Sequence, residues 1–556
     1  MRAWKISGLV AVALAAGYVI GVAEGELPFT KSDVASAEKL IGLEFTDTER
    51  DSMMLDLDAY RKGYEELRAV SIGNDVPPAL VFDPVPGRTL HASDSKHPHA
   101  VEWSKPNKVK RPANLEDVAF WSVRDLAELI RTRQVTSTEL TQMYLDRLKR
   151  YGPKLECVIS LTEDRALASA KRADEEIAKG HYRGILHGIP YGAKDLLAVQ
   201  GTKTTWGAMP YKDQTIDDTA TVIKRLDDAG AVLVAKLTMG ALAWGDVWYG
   251  GMTRNPWDLE QGSSGSSAGS ASATSAGLVA FALGTETWGS IVSPSTRCGV
   301  TGLRPTFGRV SRAGAMALSW SMDKIGPICR TVEDCGVVLD AIRGPDGIDP
   351  AVVDAPFTYS AKTKLADIKI GYVKSLFDED YPNKANDAAT LDKLRSLGAT
   401  LVPIELPKIP SAPLACILTA EAAAAFDELT RSNRDDLLVR QVRDAWPNTF
   451  RAARFIPAVE YIQANRARTL LMREMEKLPV DVYITPAFGG DNLLYTNLTG
   501  NPCVVLPNGF NDKGSPTSIT FMGKLFEEGK VMTVAKAYQD ATDFHLKHPP
   551  MFATAK

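Results

Sequence analysis

One lysine and a cluster of serines carry the chemistry that this chain can perform. Lys194 lies in Gly188-Ile189-Pro190-Tyr191-Gly192-Ala193-Lys194-Asp195, and the serines stand downstream in GSSGSSAGSASATSAGLVAFALGTETWGS, which runs from Gly262 to Ser290. A serine hydroxyl becomes a nucleophile when a base takes its proton; acyl transfer further needs an acid for the leaving group and donors for an oxyanion. A lysine of ordinary pKa, about 10.4, is neutral in only about one molecule in 2,500 at pH 7, a deficit of roughly 4.6 kcal/mol. Lys194 can therefore act as that base only where burial disfavours its ammonium form. Its approach is apolar and rich in Gly and Pro, which suits burial. Contact between Asp195 and the amine would oppose the shift, so the Asp195 side chain is expected to point elsewhere.

By composition the serine run reads as a flexible linker, yet it passes into an Ala-rich helical stretch and then an apolar run, Leu278 to Leu283. A linker has no reason to do so. Together with GIPYGAKD the run resembles the amidase signature family of serine hydrolases. In that family the lysine follows G-x-P-x-x-x-K-D, a bridging serine on a cis peptide opens S-S-G-G-S, and the nucleophile ends G-[ST]-[DE]-T-x-G-S. Anchoring on Gly284-Thr285-Glu286-Thr287-Trp288-Gly289-Ser290 makes Ser290 the nucleophile; the family spacing of 24 residues then makes Ser266 the bridging serine. A register counted from Ser263, which requires a three-residue insertion, stays open. Two positions depart from the family: Ala268 stands where it has Gly, and Trp288 replaces its usual Gly.

The resemblance spans roughly residues 116 to 545 and implies an α/β fold of the amidase signature type, a central mixed β-sheet flanked by helices. It implies a relay in which neutral Lys194 takes the proton of Ser266 and Ser266 that of Ser290, with an acyl-enzyme on Ser290. Backbone N–H groups of Thr287, Trp288 and Gly289, beside Ser290, would form the oxyanion hole. The substrate would be a small-molecule amide or peptide amide, cleaved to acid and ammonia or amine, with no metal or organic cofactor. Trp244, Trp248 and Tyr249 are candidates for an acyl pocket or for plain packing. Two other functions share the resemblance: a transamidosome-type glutamine amidotransferase subunit, and an exported binding protein of the same fold without catalysis.

Rival chemistries have weaker support. Gly265-Ser266-Ser267-Ala268-Gly269 fits the G-x-S-x-G nucleophile elbow, but NPWDLEQGSS before it does not form the required strand. Only His545 and His548 follow as triad partners. S-x-x-K strings at Ser36, Ser93 and Ser321 are short enough to arise by chance. His91, His97 and His99 cluster in a loop without a metal-binding spacing.

These groups need elements to hold them. Helical periodicity runs from Ser36 to about Ser71, with a cap at Thr46 to Glu49; Val76 to Pro112 reads as an extended connector. Caps at Ser122/Asp125 and Thr136/Glu139 open further helices, and strands are expected at Ala231–Lys236, Ile368–Val373 and Asp481–Thr485. Arg2 and Lys5 precede an apolar run, Ile6 to Val22, that ends in Gly21-Val22-Ala23, the layout of a signal peptide or membrane anchor. The expected organisation is thus a signal or anchor at 1–23, a helical extension and connector at 24–115 and an amidase domain at 116–556. Export to the periplasm or beyond, with a possible membrane tether, follows from the first segment. With 45% hydrophobic and 24% charged residues and a net charge of −4, the composition is that of a globular protein and favours no nucleic acid partner. Six cysteines are expected mostly as buried thiols, Cys329 and Cys335 being the pair nearest in sequence.

Overall fold

A computed structural model describes residues 27–71, 80, 90–91 and 100–553. The segment read as a signal or anchor, His97, His99 and Ser93 lie outside the described residues, as does the His91 side chain. Among the described residues no helix is long and apolar enough to cross a membrane.

The helices used below are α1 (Lys31–Ile41), α2 (Asp47–Ala69), α3 (Val123–Arg131), α4 (Ser137–Leu155), α5 (Ala268–Ser275), α6 (Val292–Cys298), α7 (Cys416–Ala425), α8 (Trp446–Ala453), α9 (Ala458–Glu476) and α10 (Asn492–Thr499). Eleven strands form the main sheet: β1 (Val158–Leu161), β2 (Pro190–Lys194), β3 (Val232–Leu237), β4 (Phe281–Glu286), β5 (Thr301–Arg304), β6 (Lys324–Cys329), β7 (Ile370–Val373), β8 (Leu401–Ile404), β9 (Val482–Pro486), β10 (Cys503–Phe510) and β11 (Pro516–Gly523). The three expected strands are β3, β7 and β9, each displaced by one or two residues.

The chain divides into two compact units. The larger contains the sheet, in the order β8-β7-β9-β11-β10-β5-β6-β4-β2-β3-β1. Pairing is parallel within β3-β2-β4 and within β8-β7-β9, and antiparallel across the middle, so the sheet is mixed, with helices around it. The central strands β2, β3, β4 and β6 are buried along their whole length, as strands covered on both faces must be. Ser122 caps α3, and Thr136 and Glu139 form a reciprocal capping box on α4.

The serine run is explained by what surrounds α5. Every residue of this helix is buried, and it lies so close to the sheet that a Cβ on Gly269 would stand 2.5 Å from both the Cys157 carbonyl oxygen and the Thr238 amide nitrogen. Only small side chains fit. Serine also brings a hydroxyl that can be satisfied locally: Ser270 donates to the Leu283 carbonyl at 2.8 Å, Ser272 to Arg254 at 2.8 Å and Ser275 to Cys298 at 2.7 Å. At the C-terminal end of α5 two buried guanidinium groups collect carbonyls. Arg147 donates to Ala276 and Gly277, and Arg330 to Thr274, Val279 and Ala280. Cations at this end suit the helix dipole.

The smaller unit joins α1 and α2 to Pro407–Met475 and to a short strap, Ala317–Ser321. Its core brings Val34, Phe45 and Met53 against Ala452 of α8. Capping boxes at Thr30/Asp33 and Thr46/Glu49 start its first two helices. Glu421 of α7 accepts hydrogen bonds from the Ser319 and Ser321 hydroxyls, at 2.6 and 2.7 Å, and Arg468 of α9 donates to Ser321 Oγ at 2.8 Å. All six cysteines are buried free thiols, so the Cys329–Cys335 pair is not bridged.

The packing of α5 generates a stability prediction. Gly269→Ala gains up to about 1 kcal/mol of helix propensity but forces two backbone segments apart, an overpacking cost of about 1–3 kcal/mol. A net loss of up to about 2 kcal/mol is expected, read as a lower denaturation midpoint at unchanged slope.

Candidate active site

The sequence-predicted lysine and bridging serine meet in the larger unit. Lys194 ends β2, and its side chain is fully buried. Its Nζ lies 2.8 Å from Ser266 Oγ, 3.1 Å from Ser267 Oγ and 2.8 Å from Thr285 Oγ1. None of these neighbours is charged. Burial therefore dominates and brings the Lys194 pKa down to about 7, with the more distant carboxylates of Asp323 and Glu286 opposing the fall. Ser267 is also the N-cap residue of α5, so the positive end of that short helix adds in the same direction. Asp195 faces away, as expected: successive strand residues alternate sides, and its carboxylate pairs with Lys236 at 3.0 Å.

The hydrogen bonds separate the two serines. Ser267 Oγ donates to the Thr285 carbonyl at 3.0 Å and accepts from the Thr285 amide at 3.0 Å, so its proton is committed and it can only accept from the lysine. Ser266 has no such commitment, and its proton is the one available to a neutral Lys194. The Gly265–Ser266 peptide is cis. His548, a partner that an elbow nucleophile at Ser267 would need, instead stacks on Phe120 at 4.1 Å.

Ser290 stands where the segment after β4 turns into α6. Its carbonyl accepts the Ser267 amide at 3.2 Å, which brings the two serine segments together, and its side chain is at the edge of solvent, 9% exposed. Just before it Gly289 has a φ of +87°, a conformation that favours glycine. Thr287 is buried and donates to Asp323 at 2.5 Å, and Trp288 is half-buried. The positions expected as oxyanion donors thus line the tight turn that delivers Ser290.

What sequence reasoning missed is the support beneath this turn. Glu286, the last residue of β4, is fully buried and accepts the amides of Ile291 at 2.8 Å and Val292 at 2.9 Å, directly after Ser290. Arg304 pairs with it at 2.7 Å and Asn497 of α10 donates at 2.9 Å. Burial alone would raise the Glu286 pKa, but the Arg304 charge and these donors outweigh it and hold the carboxyl at about 2. The signal is present at the acidic position of the G-[ST]-[DE]-T pattern. Its partners stand 18 and 211 residues away, where Arg304 reads as one half of an ordinary ion pair. The aromatic candidates are mostly enclosed: Trp244 and Trp248 are buried, and Tyr249 meets Trp248 edge-on at 4.9 Å. Among the described residues no group of three or more His, Cys, Asp or Glu is placed to hold a metal ion.

A family model described as Amidase matches residues 139–493. The chain belongs to the amidase signature family. A glutamyl-tRNA(Gln) amidotransferase subunit of Coxiella burnetii is 34% identical over 480 residues, spanning 77% of this chain and 99% of the relative. The same subunit of Geobacillus kaustophilus is 36% identical over 481 residues, 77% of this chain and 98% of its own. Among solved structures, peptide amidase from Stenotrophomonas maltophilia superposes with a TM-score of 0.69 at 30% identity, covering 79% of this chain and all of that one. The amidase signature fold and an enzyme acting on amide C–N bonds follow from these matches. The expectation of export, with its signal peptide or membrane tether, is corrected. The relatives matched over nearly their whole length are subunits named for glutamyl-tRNA(Gln), and the apolar run that motivated export lies outside the described residues.

The site makes its own demands on pH and on stability. If Lys194 is the base, it is competent only when neutral, so reactivity rises with pH as the ammonium deprotonates. Labelling of Ser290 by a fluorophosphonate is expected to increase with a midpoint near pH 7, the value to which burial brings Lys194. Arg304→Met leaves Glu286 charged and unpaired in the interior, at a cost of about 3–5 kcal/mol. Thermal unfolding should show that loss, and labelling at Ser290 should slow as Glu286, the anchor of the Ile291 and Val292 amides, is held less firmly.

Proposed function

We propose that this amidase signature protein releases ammonia from a linear carboxamide, as the amide-cleaving component of a glutamine-dependent amidotransferase. The observation that carries the chemistry is the 2.8 Å contact between a charge-depleted Lys194 and Ser266, beside a Ser267 whose proton is engaged elsewhere. In the proposed reaction neutral Lys194 takes the Ser266 proton while Ser266 takes that of Ser290, and Ser290 Oγ attacks the amide carbon. Backbone amides from Thr287, Trp288, Gly289 and Ser290 stabilise the oxyanion. Ser266 gives the proton it took from Ser290 to the departing nitrogen and is reprotonated from Lys194. Water then attacks the acyl-enzyme by the same relay, so that amide and water become acid and ammonia.

The amidotransferase assignment is supported by the names of the relatives, which are matched over nearly their whole length. On this reading companion subunits and a charged tRNA are partners of the assembly, against the charge-based expectation of no nucleic acid. A second reading, a stand-alone amidase acting on peptide-terminal carboxamides, is favoured by the similarity to the Stenotrophomonas maltophilia peptide amidase.

Ammonia release from L-glutamine and from a C-terminally amidated peptide, with Ser290→Ala as control, separates the readings. Glutamine turnover, abolished in the variant, is expected under the first. Turnover confined to the amidated peptide establishes the second. Equal background release by wild type and Ser290→Ala on both substrates sinks amide cleavage at this serine.

A further inference from the structure

Directly behind the proposed base lies a second buried lysine that the relay does not use. Lys236 of β3 and Asp195 are both fully buried and 3.0 Å apart. Lys236 Nζ also donates to Thr204 Oγ1 at 2.9 Å and to the Lys203 carbonyl at 3.1 Å. The other Asp195 oxygen accepts from Thr205 twice, from its amide at 2.7 Å and its hydroxyl at 2.5 Å. The pair therefore grips a single turn, residues 203–205. A buried ion pair is often no more stabilising than an apolar pair of the same volume, so stability alone does not account for this one.

That turn holds the loop between β3 and the serine run. The Trp206 carbonyl accepts the Leu242 amide at 3.0 Å, and the Gly207 carbonyl accepts the Tyr249 amide at 3.1 Å. Gly207 has a φ of +65°, and a Cβ there would sit 2.3 Å from the Met239 carbonyl oxygen, so the turn is seated tightly. Between those two anchors the loop presses on the bridging serine: a Cβ on Gly265 would lie 1.8 Å from the Gly245 carbonyl oxygen, and Asp246 accepts the Ser264 amide at 2.9 Å. A continuous series of contacts thus runs from the residue after Lys194, around the 240–250 loop, to the peptide that carries Ser266.

We propose that the Asp195–Lys236 pair is a positioning device for the relay: it seats the 240–250 loop against Ser264–Ser266 and neutralises the carboxylate that adjoins the base. The inference rests on the proposed Lys194–Ser266–Ser290 relay. Asp323 and Glu286 are the carboxylates that already act on Lys194. An unpaired Asp195 that stayed ionised against the upward push of burial would be a third, and it would favour the ammonium form.

The test is the rate at which a fluorophosphonate labels Ser290 in the full chain, followed against pH. In Lys236→Met burial pushes the Asp195 carboxyl up with no cation to oppose it, and the fraction that stays ionised moves the labelling midpoint upward, by up to about half a pH unit, while the unseated loop slows labelling. The double variant Asp195→Asn/Lys236→Met should return it to within about 0.2 unit of wild type, a rescue that general loosening would not produce. Thr205→Val changes no charge; it should leave the midpoint in place and slow labelling about tenfold through misplacement alone. An unshifted midpoint together with a wild-type labelling rate in folded Lys236→Met overturns the proposal. Should that variant fail to fold, a wild-type labelling rate in Thr205→Val overturns it instead. A wild-type chain that is not labelled at Ser290 defeats the relay itself and this inference with it, whereas labelled wild type with unaffected variants defeats the inference alone.

Discussion

A lysine can hold its amine neutral near pH 7 only in a dry pocket where no anion touches it, and much of this structure is arranged around that requirement at Lys194. Its immediate partners are three hydroxyls, and burial brings its pKa to about 7. Two carboxylates whose fields reach it, Asp323 and Glu286, are each occupied, one by Thr287 and the other by Arg304. The carboxylate next in sequence is turned to the opposite face and given its own cation. The same low dielectric that makes an unpaired charge costly inside the protein makes each of these pairings necessary.

Dryness at Lys194 in turn demands close packing, and close packing next to main chain demands small side chains. This accounts for the composition of the run from Ser263 to Ser275. Gly265 and Gly269 stand where any Cβ would meet a backbone atom, and the serines of α5 are buried hydrogen-bonding residues rather than a flexible tether. A composition that in isolation signals a linker is here a buried, closely packed segment, because hydroxyls satisfy carbonyls that larger apolar side chains could not approach.

The turn that carries Ser290 is held by a different principle. Glu286 receives two amides from below the turn and is itself held by Arg304 and Asn497. The arrangement stiffens the backbone beside the proposed nucleophile, next to Thr287, Trp288 and Gly289, whose amides are the proposed oxyanion donors. Trp288, where the family usually has glycine, is half-buried in this turn, and Gly289 supplies the positive φ. The bulk at position 288 is therefore compatible with the turn itself.

The family, the α/β class and the capped helices were legible in the chain, and so were the lysine and serines proposed for the relay, because each depends on neighbours close in sequence: GIPYGAKD, the Gly284–Ser290 motif, and caps three residues long. The preference for Ser266 over Ser263 came from the spacing of the family that the chain resembles. Other features depend on contacts across long separations and were not legible. Ser267 commits its proton in a hydrogen bond to the Thr285 carbonyl, 18 residues on; Asp195 turns toward Lys236; Glu286 gathers Arg304 and Asn497. The apolar run at Ile6–Val22 shows the opposite limit, since a local pattern suggested export that the relationship to tRNA amidotransferase subunits overturns. Local chemistry determined which groups could react; only tertiary packing decided which of them are charged, because a pKa is set by whatever folds against the group rather than by what precedes it in the chain.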